Sequence, residues 1–264
     1  MLRIPLSPSL SNLRAEHGIS MIELLVAMAA ATVVTAAIVT VLQVAYNQET
    51  RTTDHTQANQ IARTAMNSIV TELNSSCTGR APIQYIHESE ILESPTISGL
   101  GLKPIGPLNL WLISVYGSES GEAVLKTAKE QDISWTETGT SKTSPQEKLG
   151  KLIDYEFASE GGSPTDWTFG LKNPKKRLLA ENVIPLEVNK TQTIFQYARY
   201  KEGKLITDTP NSKETAEQVS KVEIGFKQAA EDGDTREGHT VTLSDAVNLR
   251  LDPSEESISE GPCE

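Results

Sequence analysis

Gly18-Ile19-Ser20-Met21-Ile22-Glu23-Leu24-Leu25 opens the stretch that decides how this chain is built. After Glu23 no charged residue occurs before Glu49, and residues 24–42 are apolar apart from Thr32, Thr35 and Thr40. As a helix rising ~1.5 Å per residue, those 19 residues cover roughly 28 Å, close to the hydrocarbon thickness of a bilayer. A core helix of a soluble protein keeps a polar, charged face. Residues 24–48 carry no charge at all, so a membrane-spanning helix is expected here.

The flanks orient it. Arg3, Arg14 and the amino terminus precede the segment with only Glu16 opposing, whereas Glu49, Arg51 and Asp54 follow it. The positive side stays inside, which places the bulk of the chain outside. A cleavable secretory signal has small residues after its apolar stretch and no acid at its entrance. Alanines at 29–31, 36, 37 and 45 supply small residues, but Glu23 stands at the entrance. A carboxylate at the edge of a bilayer costs a few kcal/mol unless neutralised, and no Lys or Arg lies within a helical turn of it.

Scission between Gly18 and Ile19 would supply the missing cation. The new α-amine of Ile19 would lie four residues before Glu23, on the same helical face, in reach of that carboxylate or of the same carboxylate on another copy. A short basic leader, a glycine, a mostly apolar turn, a glutamate and a long apolar helix together resemble the class III signal of type IV prepilins and type II secretion pseudopilins. The resemblance implies a leader, residues 1–18, removed after Gly18 by a membrane prepilin peptidase that also methylates the Ile19 amine, and a role for Glu23 in subunit docking. It further implies as partners other pilin or pseudopilin subunits, the cytoplasmic membrane, and an assembly platform protein with its ATPase. The expected location is the cytoplasmic (inner) membrane, single-pass with the N-terminus inside, and then an extracellular or periplasmic filament. Two positions depart from the family pattern. Ile19 replaces the usual phenylalanine, which leaves the amine chemistry intact. Thr40 lies near where major subunits carry a helix-kinking proline, which with the chain's size suggests a minor component.

Beyond the membrane the helix is expected to continue, spanning 19–76 with its membrane half at about 19–45. Ala58, Ala62, Ala65, Ile69 and Leu73 step by three or four, with Ile61, Met66 and Val70 widening the stripe, as an amphipathic helix against a domain requires. Between Asn47 and Gln57 the stripe vanishes among Thr50, Thr52, Thr53 and Thr56, a weak helix able to bend or melt when subunits pack. Prolines and glycines from Cys77 to Pro107 read as a long loop. Strands are expected at 108–116, around Ile153, Tyr155 and Phe157, at 167–171 and 193–200, around Val222, Ile224 and Phe226, and around Val247, Leu249 and Leu251. Turn-rich sequence at 138–145, 161–164 and 207–212 separates them. The fold class is α+β, a helix packed on an antiparallel sheet domain at 77–251. This agrees with the pilin fold that the resemblance implies. Residues 177–183 and 245–251 are similar to stretches of larger minor pilins and J-type pseudopilins.

Residues 252–264 hold five acids and no base and read as a solvated tail. An exported domain would meet oxidising conditions, where Cys77 and Cys263 either form a bridge or remain two independent thiols. Two cysteines are too few for a disulfide scaffold or a four-thiolate zinc site.

The whole chain has 264 residues, enough for one or two domains, and its 24 basic against 35 acidic side chains give a net charge of −11. That charge repels phosphate, so no nucleic acid partner is expected. Aromatics are only 5%, so the core must be aliphatic and small. No metalloprotease, nucleophile-elbow or phosphate-loop motif occurs, and Gly117-Ser118-Glu119-Ser120-Gly121 has glutamate where a nucleophile would stand. His17, His55, His87 and His239 are scattered as structural or surface residues. Asp232-Gly233-Asp234 with Glu237 lacks the spacing of a calcium loop and reads as a hairpin turn. Lys175-Lys176-Arg177, after Asn173-Pro174, reads as a charged turn, and the paired acids show no context that would shift their ionisation. No catalytic residue, cofactor or metal is expected. The expectation is a structural filament subunit; the rival is a membrane-anchored extracytoplasmic enzyme or binding protein.

Overall fold

In a computed structural model, the structure describes residues 20–76, 83–86, 91, 102–116, 127–161, 168–171, 173–231, 233–236 and 238–249. The chain divides into two compact units, Met1–Thr50 and Arg51–Glu264, so the division falls inside the first helix and not at its end.

That helix, α1 (Met21–Asn74), is continuous through the threonine-rich stretch. Threonine is a weak helix former because its hydroxyl competes for the backbone. Here the hydroxyls bond back into the same helix: Thr50 Oγ1 donates to the Tyr46 carbonyl at 3.1 Å and Thr56 Oγ1 to that of Thr52 at 2.8 Å. The same device silences the polar groups of the apolar half, where Thr32, Thr35 and Thr40 donate to Ala29, Ala31 and Ala36 at 2.8, 2.7 and 2.6 Å. At the other end the Ser75 and Ser76 hydroxyls take the carbonyls of Glu72 and Leu73, and the helix stops.

Among the described residues of the second unit, ten strands form one antiparallel sheet: β1 (Asn109–Tyr116), β2 (Thr127–Thr140), β3 (Lys148–Gly161), β4 (Thr168–Phe169), β5 (Lys175–Val188), β6 (Thr191–Thr193), β7 (Phe195–Lys201), β8 (Lys204–Thr207), β9 (Val219–Ala229) and β10 (Thr240–Asn248). The order is β1-β2-β3-β5-β9-β7-β8, with β10 beside β9, β4 beside β3 and β6 beside β5. A short helix, α2 (Lys213–Glu217), begins at a reciprocal cap between Ser212 and Thr215. The expected α+β class with a sheet in antiparallel order is therefore present.

The amphipathic stripe of α1 buries Ala58, Ala62, Ala65, Met66, Ile69 and Leu73. All but Ala58 join one continuous apolar cluster with Leu110, Trp111, Leu112, Ile133, Leu152, Phe157, Tyr197, Val222, Ile224 and Phe226 from the strands. Strands named in the sequence are in place at β1, β3, β7 and β9; of the strand expected around Val247, Leu249 and Leu251 only Val247 lies in β10, which ends at Asn248 with Leu249 beyond it and Leu251 outside the described residues, and of the strand expected at 167–171 only Thr168–Phe169 form β4. Two long strands were not visible in the sequence. β2 is dominated by polar residues yet sits between β1 and β3, and β5 begins at the residues read as a charged turn. Lys175-Lys176-Arg177 is thus corrected to strand: Arg177 lies opposite Asp154 and Lys175 opposite Glu156 on β3, so each base meets an acid across the ladder.

Candidate functional site

The apolar half of α1 is the candidate. Every residue from 20 to 53 is exposed. Among them are Met21, Ile22, Leu24, Leu25, Val26, Met28, Val33, Val34, Ile38, Val39, Val41, Leu42, Val44 and Tyr46. At ~1.5–3 kcal/mol for each large apolar side chain left in water, this surface would cost tens of kcal/mol unless lipid or protein covers it. The helix is long and apolar enough to cross a membrane.

Its first turn is built around Ser20 and Glu23. The Ser20 hydroxyl accepts from the Ile22 N–H at 3.3 Å, and Glu23 Oε2 accepts from the Ser20 N–H at 3.0 Å. The glutamate three residues into the helix reaches back to the capping serine, so two backbone donors that the helix cannot satisfy are covered. The S-x-x-E spacing of Ser20 and Glu23 is the sequence sign of this cap, which gives Glu23 a hydrogen-bonding role beside the charge expected of it. The carboxylate keeps its second oxygen for a further donor. Gly18, Ile19, Cys77, Cys263, Asp232 and Glu237 lie outside the described residues.

Asp234 is held by Arg236, whose Nε donates to Oδ1 at 3.1 Å and to Oδ2 at 2.8 Å, and whose backbone N–H donates to Oδ1 at 3.0 Å. Those bonds lower its carboxyl to about 2. Thr143 donates a further bond to Asp234 Oδ1 at 3.2 Å. The carboxylate is thus committed to a turn. His239 Nδ1 lies 2.9 Å from Asp54 Oδ2 on α1.

A second group joins α1 to the sheet. Arg177 on β5 donates to Asp154 Oδ2 through Nε at 3.1 Å and Nη2 at 2.6 Å, and Nη2 also donates to Glu72 Oε1 at 3.1 Å. Gln131 Nε2 donates to Asp154 Oδ2 at 3.3 Å, and Gln131 Oε1 accepts from the Ser114 hydroxyl at 2.6 Å. Oxygens of Glu72, Asp154 and Glu156 come within 4.8 Å of one another, but Arg177 fills the space between the first two while Lys129 and Lys175 meet Glu156 at 3.3 and 3.7 Å. The group is a salt-bridge cluster that fastens helix to sheet. Burial pushes Asp154 up to about 6, desolvation outweighing the guanidinium. Asp132, wholly buried, is held well above the usual carboxylate range by desolvation, which neighbouring Ser134 and Asn109 oppose only in part. The acids that the sequence offered as unperturbed are therefore corrected: strands β2 and β3 carry them into the core, which linear spacing does not show.

No protein-family profile, curated protein or solved structure matches this chain.

Proposed function

We propose that this chain is a structural, non-enzymatic filament subunit, a minor pilin or pseudopilin of a type IV pilus or type II secretion-like assembly. In this reading it is processed after Gly18, N-methylated on Ile19, and stored in the cytoplasmic membrane with its C-terminal unit outside. The observation that carries the reading is the uncharged half of α1, residues 24–48, exposed on every side, whose only charge near the entrance is the capping carboxylate of Glu23. Such a helix is stable in lipid and equally stable among like helices, so assembly exchanges one apolar cover for another. Glu23 then needs one more donor, and an α-amine freed at Ile19 is the nearest chemistry able to provide it. The prepilin peptidase, sibling subunits, platform protein and ATPase follow as partners.

Mass spectrometry of the N-terminus of membrane-purified protein tests this. An N-methylated Ile19 is expected; an intact leader, or cleavage beyond Ala36, would favour an anchored extracytoplasmic enzyme or binding protein instead. A bulky residue at Gly18 should block processing, whereas Gly18→Ala is partly tolerated. Glu23→Ala or Glu23→Val should insert normally and assemble poorly, read as subunit recovered in sheared filaments.

A further inference from the structure

The part of α1 just ahead of its apolar stripe meets the domain through polar contacts. None of residues 51–57 is buried, and Ala58 is the first buried residue of the helix. From this segment Asp54 reaches His239, Gln57 Nε2 donates to Glu231 Oε2 at 2.9 Å, and the Arg51 guanidinium lies where a Cβ on Gly238 would collide with it. All three partners belong to the loop between β9 and β10.

The two sides of this contact differ in how firmly they are built. On the loop side, Gly233 and Gly238 take left-handed φ of 74° and 86°, conformations that side-chain-bearing residues rarely adopt. Asn182 Nδ2 donates to the carbonyls of Ala230 and Glu231 at 3.0 and 2.9 Å. The Ser141 and Thr235 hydroxyls share a 2.7 Å bond, Thr143 holds Asp234, and Asp234 holds Arg236. The loop is thereby tied to β5 and to the β2–β3 turn. On the helix side, Thr52, Thr53 and Thr56 are poor helix formers with no buried neighbour in the segment.

We propose that the β9–β10 loop is a clasp whose opening releases residues 51–57 of α1 from the domain as a unit, while the core from Ala58 onward stays closed. The firm loop stays in place and the weak helix leaves, which gives the chain a pliable tether immediately before its packed half. Asp54 and Gln57 hold the clasp from one side, His239 and Glu231 from the other.

Hydrogen exchange of the full chain in detergent micelles tests it, comparing wild type with Asp54→Ala, His239→Ala and Gln57→Ala. Alanine is the better helix former, so Asp54→Ala by itself would slow exchange in the helix; faster exchange there must come from the lost contact. Losing one such contact is expected to speed exchange of the amides at 51–57 by about five- to tenfold, with rates at 62–73 unchanged. The double variant Asp54→Ala/His239→Ala should be no faster than the quicker single one, because both remove the same contact. Unchanged rates at 51–57 would overturn the clasp, and so would a rise that spreads through 62–73.

Discussion

Arg177 stands between two acids, and each of the three depends on the others. Asp154 is fully buried and Glu72 nearly so, whereas 38% of the Arg177 side chain is exposed. Removing the cation would leave two carboxylates facing each other in a low-dielectric interface. Arg177→Met is therefore expected to destabilise the protein by about 2–3 kcal/mol, the lower part of the range for breaking a buried pair because the guanidinium is partly solvated. Chemical denaturation of wild type and variant measures it. The same geometry sets a pH dependence. Asp154 ionises at about 6 in the folded chain against its usual 3.8, so folding takes up a proton between those values. Its contribution is fully present below about pH 4 and is lost as pH rises through about 6, a change on the order of 2–3 kcal/mol. Asp154→Asn should flatten the stability profile in that window; an identical slope in the variant would refute the assignment. Asp234 acts in the opposite sense, losing its contribution as pH falls from the usual 3.8 through about 2.

At the scale of elements, the legible parts were those whose signal is local. The stripe of α1 was fixed by steps of three and four, and the buried set Ala58, Ala62, Ala65, Ile69 and Leu73 is the one that spacing names. β1, β9 and the middle of β3 declare themselves through apolar alternation. β2 does not, because it buries the polar residues Gln131, Asp132 and Ser134, and the partners of Gln131, Ser114 on β1 and Asp154 on β3, are distant in sequence. β5 was hidden for a related reason: Lys175 and Arg177 look like a surface turn until β3 brings Glu156 and Asp154 opposite them. The Ser20–Glu23 cap lay within four residues and was legible in principle. Glu72 sits in the stripe of α1 with no sequence sign of its arginine, 105 positions away. The stripe itself makes a prediction. Ile69 is wholly buried in the shared cluster, so Ile69→Ala should cost about 2–5 kcal/mol through lost transfer energy and a cavity. The drop would appear as a lower denaturation midpoint, and a loss under 1 kcal/mol would mean that this part of α1 is not packed on the sheet.

For the molecule as a whole, apolar surface and buried core occupy different stretches of chain. The fourteen large apolar residues exposed on α1 all precede Thr50, and every buried residue among those described follows Arg51. Residues 1–50 contribute two basic and three acidic side chains, so nearly all of the net charge of −11 also lies downstream. A protein arranged this way is two solubility classes joined in one helix, and the second should not need the first to fold. A fragment beginning at Arg51 is expected to stay in solution without detergent, since it keeps the core, the Arg177 cluster and the repulsive charge that limits association. Its first turn loses the hydrogen-bond partners once given by residues 47–50, so some fraying ahead of Ala58 is the expected cost. Sedimentation and circular dichroism of the fragment, set beside the full chain in detergent, decide the matter. A cooperative unfolding transition close to that of the full chain is the predicted outcome. A fragment that precipitates or lacks such a transition would show that the apolar half supports the domain and is not merely joined to it.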